Sequence, residues 1–404
     1  MYIPRYLEDV ILGIHKTFKV LYLGGPRQVG KTTLLLKIAE KTGMNYVSLD
    51  DLSVRALAKG DPDLFLQKYS APLLIDEVQY APELFPYIKI RVDKNAKNGL
   101  YWLTGSQQFS IMKNVKESLA GRIGIVNLLG FSLAEEKRLP KTKNAFLPGN
   151  KIKNHIVTGF NDIFNRIFRG SFPILALKNR PSLETFYNSY LQTYIDRDLR
   201  DIFNVSKISV FHTFLQLCAA RTGQILNYAD LARDANISVN AAQQWIAILE
   251  NSMQIYILRP YYKNISKRLI KSPKIYFLDT GLAAFLTKWK TPQAISSGSM
   301  AGAFFETFAV SEIIKSYLFR GQEPPLYYFR DKEGHEVDLL IERNNKLYPV
   351  EIKLAAQINN THLKNIIYLR NNGVCTGKGA VVCLAREELP ISRLDSIMPV
   401  GVIS

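Results

Sequence analysis

The sequence predicts an α/β chain: a parallel sheet around a phosphate-binding loop, a helical segment, and a second, smaller α/β domain. Three observations carry this. Apolar strands alternate with helical stretches up to about residue 135; a glycine-rich loop separates the first strand from its helix; and mixed helix and strand return over the last hundred residues. The implied bounds are 1–135, a linker or insertion at 136–154, a mostly helical 155–290, and 291–404.

The first strand is the apolar run Val20-Leu21-Tyr22-Leu23. Directly after it, Gly25-Pro26-Arg27-Gln28-Val29-Gly30-Lys31-Thr32-Thr33 reads G-x-x-x-x-G-K-T, the Walker A phosphate loop of a nucleoside triphosphatase. Glycine lets the backbone curl so that several N–H groups converge on one anion. Lys31 is expected at the β- and γ-phosphates and the Thr32 hydroxyl on Mg²⁺. The helical run from Thr33 to Ala39 would aim its positive end at the phosphates.

Asn45 to Leu49 is the second strand, and Pro72-Leu73-Leu74-Ile75-Asp76-Glu77 the third, ending in two carboxylates about 45 residues after the loop. That is a Walker B pattern: Asp76 would hold Mg²⁺ through water, and Glu77 would orient or deprotonate the attacking water. The fourth strand, 100–104, runs into Thr104-Gly105-Ser106-Gln107, where Thr104, Ser106 or Gln107 either senses the γ-phosphate or forms a polar turn. The fifth, 123–129, follows Gly121-Arg122. Arg122 is either an arginine finger, within the chain or towards a neighbouring subunit, or a surface arginine after a glycine cap.

Lys137 to Lys153 is rich in Lys, Pro and Asn and reads as linker or exposed insertion. Beyond it, Tyr228–Ala235 and Ser238–Glu250 form helix, short turn, helix, with Ser238 placed as an N-cap. Ile255 to Tyr262 follows as strand and wing, with Lys263, Lys267, Arg268 and Lys271 adding charge. This is a winged-helix pattern, used for DNA grooves or as a packing module. The second helix has no Lys or Arg between Ser238 and Glu250, which makes it a poor reader of DNA.

In the last hundred residues Val337-Asp338-Leu339-Leu340-Ile341 and Tyr348-Pro349-Val350-Glu351-Ile352-Lys353 read as two strands. Alternation puts Glu351 and Lys353 on one face, where Asp338 can join them. Two carboxylates can hold a divalent metal while a lysine orients water or steadies developing charge. Glu306, on a preceding helix, is a candidate third acid. With a following helix (Thr361 to Asn371) and strand (Gly379 to Leu384), the order matches the PD-(D/E)xK nuclease core, a restriction-endonuclease-like fold that also serves inactive roles. The alternative is a solvated hairpin with a salt bridge.

Charge narrows the partners. Lys plus Arg number 52 and Asp plus Glu 35, a formal net charge of +17, which suits a polyanion such as nucleic acid or an acidic membrane surface. No apolar run approaches the roughly 20 residues of a membrane helix, and Arg5, Glu8 and Asp9 interrupt any secretory signal pattern at the start. Three cysteines without metal spacing suit a reduced cytoplasm.

Taken together, the chain resembles the prokaryotic AAA-type ATPases that join a phosphate-loop domain to a C-terminal domain of unknown function, cousins of the archaeal ATPase family. The marks are the loop Gly25–Thr33, Leu74-Ile75-Asp76-Glu77-Val78-Gln79, Leu103-Thr104-Gly105-Ser106-Gln107, Leu119-Ala120-Gly121-Arg122, Arg169-Gly170-Ser171-Phe172-Pro173, Tyr194-Ile195-Asp196-Arg197-Asp198, and Glu336-Val337-Asp338 with Val350-Glu351-Ile352-Lys353. The resemblance implies ATP with Mg²⁺, a winged-helix segment, a nuclease-like C-terminal domain and a functional role for Arg122. The expectation is an ATP-binding protein that hydrolyses ATP on or near DNA, alone or as a homo-oligomer. The alternative is a signal-transducing NTPase switch whose winged helix and nuclease-like domain bind a protein partner without cutting DNA.

Overall fold

The computed structural model describes residues 2–105, 111, 115, 117–150, 156, 158–194, 208–262 and 271–403. The chain divides into two compact units: Met1–Gly130 with Asn251–Met253 and Leu318–Gln322, and Phe131–Glu250 with Gln254–Tyr317 and Glu323–Ser404. Ser106, Gln107, Ile195 to Asp198, Lys263, Lys267 and Arg268 lie outside the described residues.

In the first unit, the described strands are β1 (Val20–Gly24), β2 (Asn45–Ser48), β3 (Leu73–Asp76), β4 (Tyr101–Thr104) and β5 (Ile123–Asn127). They form one sheet in the order β2-β3-β4-β1-β5, every neighbouring pair parallel. A parallel sheet is covered by helices on both faces, so its central strands carry continuous apolar runs; β1, β3 and β4 are buried at every position. Tyr22, Ile75, Leu103, Phe65, Phe85 and Ile88 share one core cluster. The registers Val20↔Tyr101 and Leu73↔Tyr101 align β1, β3 and β4, so their carboxyl ends, where ligands of open α/β sheets bind, come out on one edge.

In the second unit, Asn227 caps the helix Tyr228–Asp234 by accepting from the Ala229 and Asp230 amides. Asn236 turns the chain at φ 54°, and Ser238 Oγ accepts from the Ala241 amide (3.1 Å) at the head of the helix Val239–Asn251, the expected cap. Trp245 of that helix packs against Phe211 and Phe214, centroids 5.2 and 5.1 Å away. β6 (Gln224–Ile225), β7 (Ile255–Leu258) and β8 (Lys274–Phe277) make a three-stranded antiparallel sheet in the order β6-β8-β7.

The C-terminal sheet joins β9 (Leu326–Arg330), β10 (Glu336–Arg343), β11 (Lys346–Ile352), β12 (Gly379–Cys383), β13 (Leu389–Pro390) and β14 (Asp395–Pro399) in the order β13-β14-β12-β11-β10-β9. β9, β10 and β11 form an antiparallel meander, whereas β11 and β12 are parallel. A parallel step needs a crossover, and the helix Lys364–Asn371 lies in it. The helix Ala301–Leu318, almost wholly buried, precedes the sheet.

Of the stretch expected as linker, residues 145–148 are buried. The Phe146 amide donates to Ser316 Oγ (3.1 Å) and its carbonyl accepts from Tyr317 Oη (2.8 Å), so its apolar residues pack where its lysines suggested exposure.

The mark Arg169 to Pro173 is a packing hub. Asp279 accepts from the Ser171 amide (2.6 Å), Ser171 Oγ (2.7 Å), Tyr187 Oη (2.9 Å) and the Leu282 amide (2.8 Å). Gly170 has φ 81°, and a Cβ there would come within 2.1 Å of Tyr187 Oη. Phe172 fills the space among Phe186, Tyr187 and Tyr190.

Candidate functional site

The phosphate loop leaves β1 at Gly24 and curls through three positive-φ positions, Gly25 (133°), Gln28 (60°) and Gly30 (90°). Any side chain at Gly25 would collide with the Leu128 carbonyl oxygen at 2.1 Å. The helix Lys31–Thr42 starts directly from Gly30. Lys31 is 8% exposed, and its ammonium folds back to donate to the carbonyls of Gly25 (2.9 Å) and Pro26 (2.8 Å). It thus lies over the concavity where an anion's charge would replace those contacts. Of the other loop residues, Val29 is buried and its carbonyl accepts from Arg5 (3.0 Å), Arg27 is half-buried, and Gln28 and Thr33 are exposed.

Asp76, at the end of β3, meets the loop. Its Oδ2 accepts from Thr32 Oγ1 (3.0 Å) and from Tyr46 Oη (3.2 Å). Burial pushes the Asp76 carboxyl up from its ordinary range, against the pull of the Thr32 hydroxyl. A hydroxyl and a carboxylate converging on one point are the hard oxygen donors Mg²⁺ takes, so these two residues fit the ion. Glu77 follows in the left-handed conformation (φ 54°) and accepts from the Gln79 side-chain amide. The hydroxyl of Tyr22 is raised by burial and by the Glu77 charge. Tyr46 and Gln79 support the two acids, a role their sequence positions did not signal. Thr104 donates to the Leu23 carbonyl (3.1 Å) and is wholly buried, so its hydroxyl ties β4 to β1 instead of facing a phosphate.

Arg122 stands at the other end of the sheet. Its carbonyl accepts from the Val20 amide, at the start of β1, whereas the loop follows Gly24 at the end. Four residue rises separate the two edges by about 13 Å. The guanidinium forms a two-pronged pair with Asp93 and donates to the Ala120 carbonyl (3.0 Å). Of the two alternatives for a finger, this position favours action towards a neighbouring subunit over action within the chain, because a parallel strand carries the residue before it to the edge opposite the loop.

The second constellation lies in the C-terminal sheet. Lys353 Nζ sits 2.9 Å from Asp338 Oδ2 and 2.7 Å from Glu351 Oε2, so the alternation of β11 and the pairing of β10 with β11 bring the three together. The Ile352 amide also donates to Asp338 (2.8 Å). Burial works against ionised Asp338, yet Lys353 and Lys274 hold its carboxyl below the ordinary range. Burial and the Asp338 charge push Glu351 up strongly. Its Oε1 is buried without a hydrogen-bond partner. An orphaned carboxylate oxygen beside a second carboxylate fits a divalent cation.

Glu306 is placed differently. It accepts from Tyr276 Oη (2.6 Å) and from Lys274 Nζ (3.3 Å). Burial and the charge of Asp338 raise it. Among the described residues, the group of three ligand types within 4.8 Å of one another is Asp331, Glu333 and His335, on the surface turn between β9 and β10. Glu306, Asp338 and Glu351 do not form such a group: Glu306 is held by β8. Lys274 and Tyr276 were missed in the sequence, and Glu336 was read only as part of the mark Glu336-Val337-Asp338, without a role in the site. That role could have been found, because Glu336 shares a strand face with Asp338 two residues on.

Residues 17–136 match the model of an AAA domain, and residues 161–293 and 301–403 match two models of domains of unknown function (DUF8612 and DUF4143). Uncharacterized proteins of Mycobacterium tuberculosis and Mycobacterium bovis are each 28% identical over 336 residues, 83% of this chain and 70% of theirs. Among solved structures, the Walker-type ATPase of Pyrococcus abyssi is 15% identical with TM-score 0.43, over 69% of this chain and 94% of its own. The Thermotoga maritima RuvB Holliday junction branch migration motor is 17% identical with TM-score 0.28, over 62% and 85%. Residues 17–136 thus match an AAA-domain model and fold as a parallel sheet with a P-loop after its first strand.

Proposed function

We propose that the protein binds and hydrolyses ATP with Mg²⁺ in its first domain, and that this activity works on or near DNA through the rest of the chain. The observation that carries the ATPase reading is the contact of Thr32 with Asp76 at the carboxyl edge of the sheet, beside a loop on whose Gly25 and Pro26 carbonyls the Lys31 ammonium lies, with Glu77 next in line. Lys31 exchanges its two carbonyl contacts for phosphate oxygens. The loop amides and the head of the helix Lys31–Thr42 take the remaining charge. Thr32 and Asp76 would hold Mg²⁺, which when bound neutralises charge between the β- and γ-phosphates. Glu77, kept in place by Gln79, orients the attacking water and takes its proton. Lys31→Ala tests the reading: it should weaken ATP binding, and unchanged binding would refute it.

The DNA reading draws on the net charge of +17, on a winged-helix reading of 228–277, and on a nuclease-like reading of the C-terminal sheet. In the last, Asp338 and Glu351 would hold a divalent cation while Lys353 steadies charge on a scissile phosphate. Cleavage by an Asp338→Ala protein equal to the parent's would dismiss it.

One observation favours a second reading, a nucleotide switch with a protein partner. The exposed positions of the helix Val239–Asn251 include Val239, Asn240, Gln243, Gln244 and Ala247, with no cation for a phosphate. A switch turns over slowly without DNA; turnover accelerated by DNA excludes it.

A further inference from the structure

β8 brings Lys274 and Tyr276 onto one face, two residues apart. Both side chains enter the acidic cluster from outside the six-stranded sheet that carries Asp338 and Glu351. Lys274 is 3% exposed; its ammonium lies 2.6 Å from Glu336 Oε1 and 3.3 Å from Glu306 Oε1. Tyr276 donates to the same Glu306 oxygen at 2.6 Å.

The cluster therefore holds four carboxylates, Glu306, Glu336, Asp338 and Glu351, with two ammonium groups threaded between them. Lys353 pairs with Asp338 and Glu351; Lys274 pairs with Glu306 and Glu336, and its charge also steadies Asp338. Buried charges persist only when paired, so each lysine decides which acids stay engaged. Glu306 is drawn to β8 and away from the pair that offers the unpartnered Glu351 oxygen.

We propose that Lys274 sets how many carboxylates this site presents to a divalent cation. With its ammonium between Glu306 and Glu336, the site presents two, Asp338 and Glu351. Without it, Glu306 joins as a third. The inference rests on the reading of this cluster as a cation site. Cation affinity rises with the number of charged oxygen ligands, so Lys274 acts as a positioning residue that holds the site in a weak-binding form.

The test is titration of the full chain with Mn²⁺, followed by the loss of the free-ion electron paramagnetic resonance signal. Binding is taken as the difference from Asp338→Ala, which removes any contribution of the phosphate loop. Lys274→Met should bind Mn²⁺ about tenfold more tightly than the parent, Lys274→Arg should match the parent, and adding Glu306→Gln to Lys274→Met should abolish the gain. Glu306→Gln alone, in a protein whose Lys274 is intact, should leave affinity unchanged; this arm holds even if Lys274→Met does not fold. A parent that binds like Asp338→Ala would refute the cation reading. A parent that binds more than Asp338→Ala, with Lys274→Met no tighter or with Glu306→Gln alone weaker, would overturn the role of Lys274 and leave the cation reading standing.

Discussion

Replacing Asp279 with alanine should unfold the second unit far more easily while leaving the first untouched. The carboxylate accepts four hydrogen bonds, from two amides and two hydroxyls, at 2.6–2.9 Å. Ser171 and Tyr187 are 6% and 1% exposed, so water cannot replace the lost acceptor without disturbing the packing. Each buried donor left unsatisfied costs about 1–3 kcal/mol. The four share one acceptor and do not add, so the expected loss is roughly 3–5 kcal/mol, the range for removing one member of a buried charged network. That corresponds to a fall in melting temperature on the order of 10 °C. Urea unfolding followed by tryptophan fluorescence reads it, because Trp245 and Trp289 lie in the second unit and Trp102 in the first. Asp279→Asn, which keeps an acceptor, should lose about half as much. A loss below about 1 kcal/mol for the alanine protein would refute the hub, as would an equal shift of the Trp102 transition.

Three further outcomes are expected. Lys31→Ala should weaken ATP binding by roughly 10- to 150-fold, the equivalent of one charge-assisted contact of about 1.5–3 kcal/mol, measured by calorimetric titration. Arg122→Ala should leave ATP turnover of the dilute chain unchanged, because its partner is Asp93 at the far edge of the sheet; a fall of a thousandfold or more would mean that the arginine reaches the nucleotide of a second copy. At neutral pH the raised Glu351 keeps its proton, so Mn²⁺ entering the C-terminal site should release close to one proton. Calorimetry in two buffers of different ionisation enthalpy measures this, and the release should fall away as the pH rises past about 8, where Glu351 has already lost its proton.

What the sequence made legible follows from locality. The phosphate loop, the strand before it and the helix after it are contiguous, and their spacing alone dictates the curl at Gly25 and Gly30. Likewise Glu351 and Lys353 share a strand face by alternation, and Asp338 joins them because β10 and β11 are consecutive. The place of Arg122 was not legible because a motif does not state which end of a strand it occupies; parallel registration decides that. Lys274 and Tyr276 were invisible because they reach the acidic cluster from β8, a separate sheet, with the helix Ala301–Leu318 between them in sequence. The mark Arg169 to Pro173 stood out as a pattern, but its partner Asp279 is 108 residues from Ser171.

The most direct test of the ATPase proposal is ATP turnover with Mg²⁺ by the parent and by Glu77→Gln, side by side, with and without duplex DNA. The parent should release phosphate in a Mg²⁺-dependent manner. Glu77→Gln should bind ATP as well as the parent but turn it over about 10²- to 10⁴-fold more slowly. Turnover by Glu77→Gln equal to the parent's, or a parent that binds no ATP, would contradict the account.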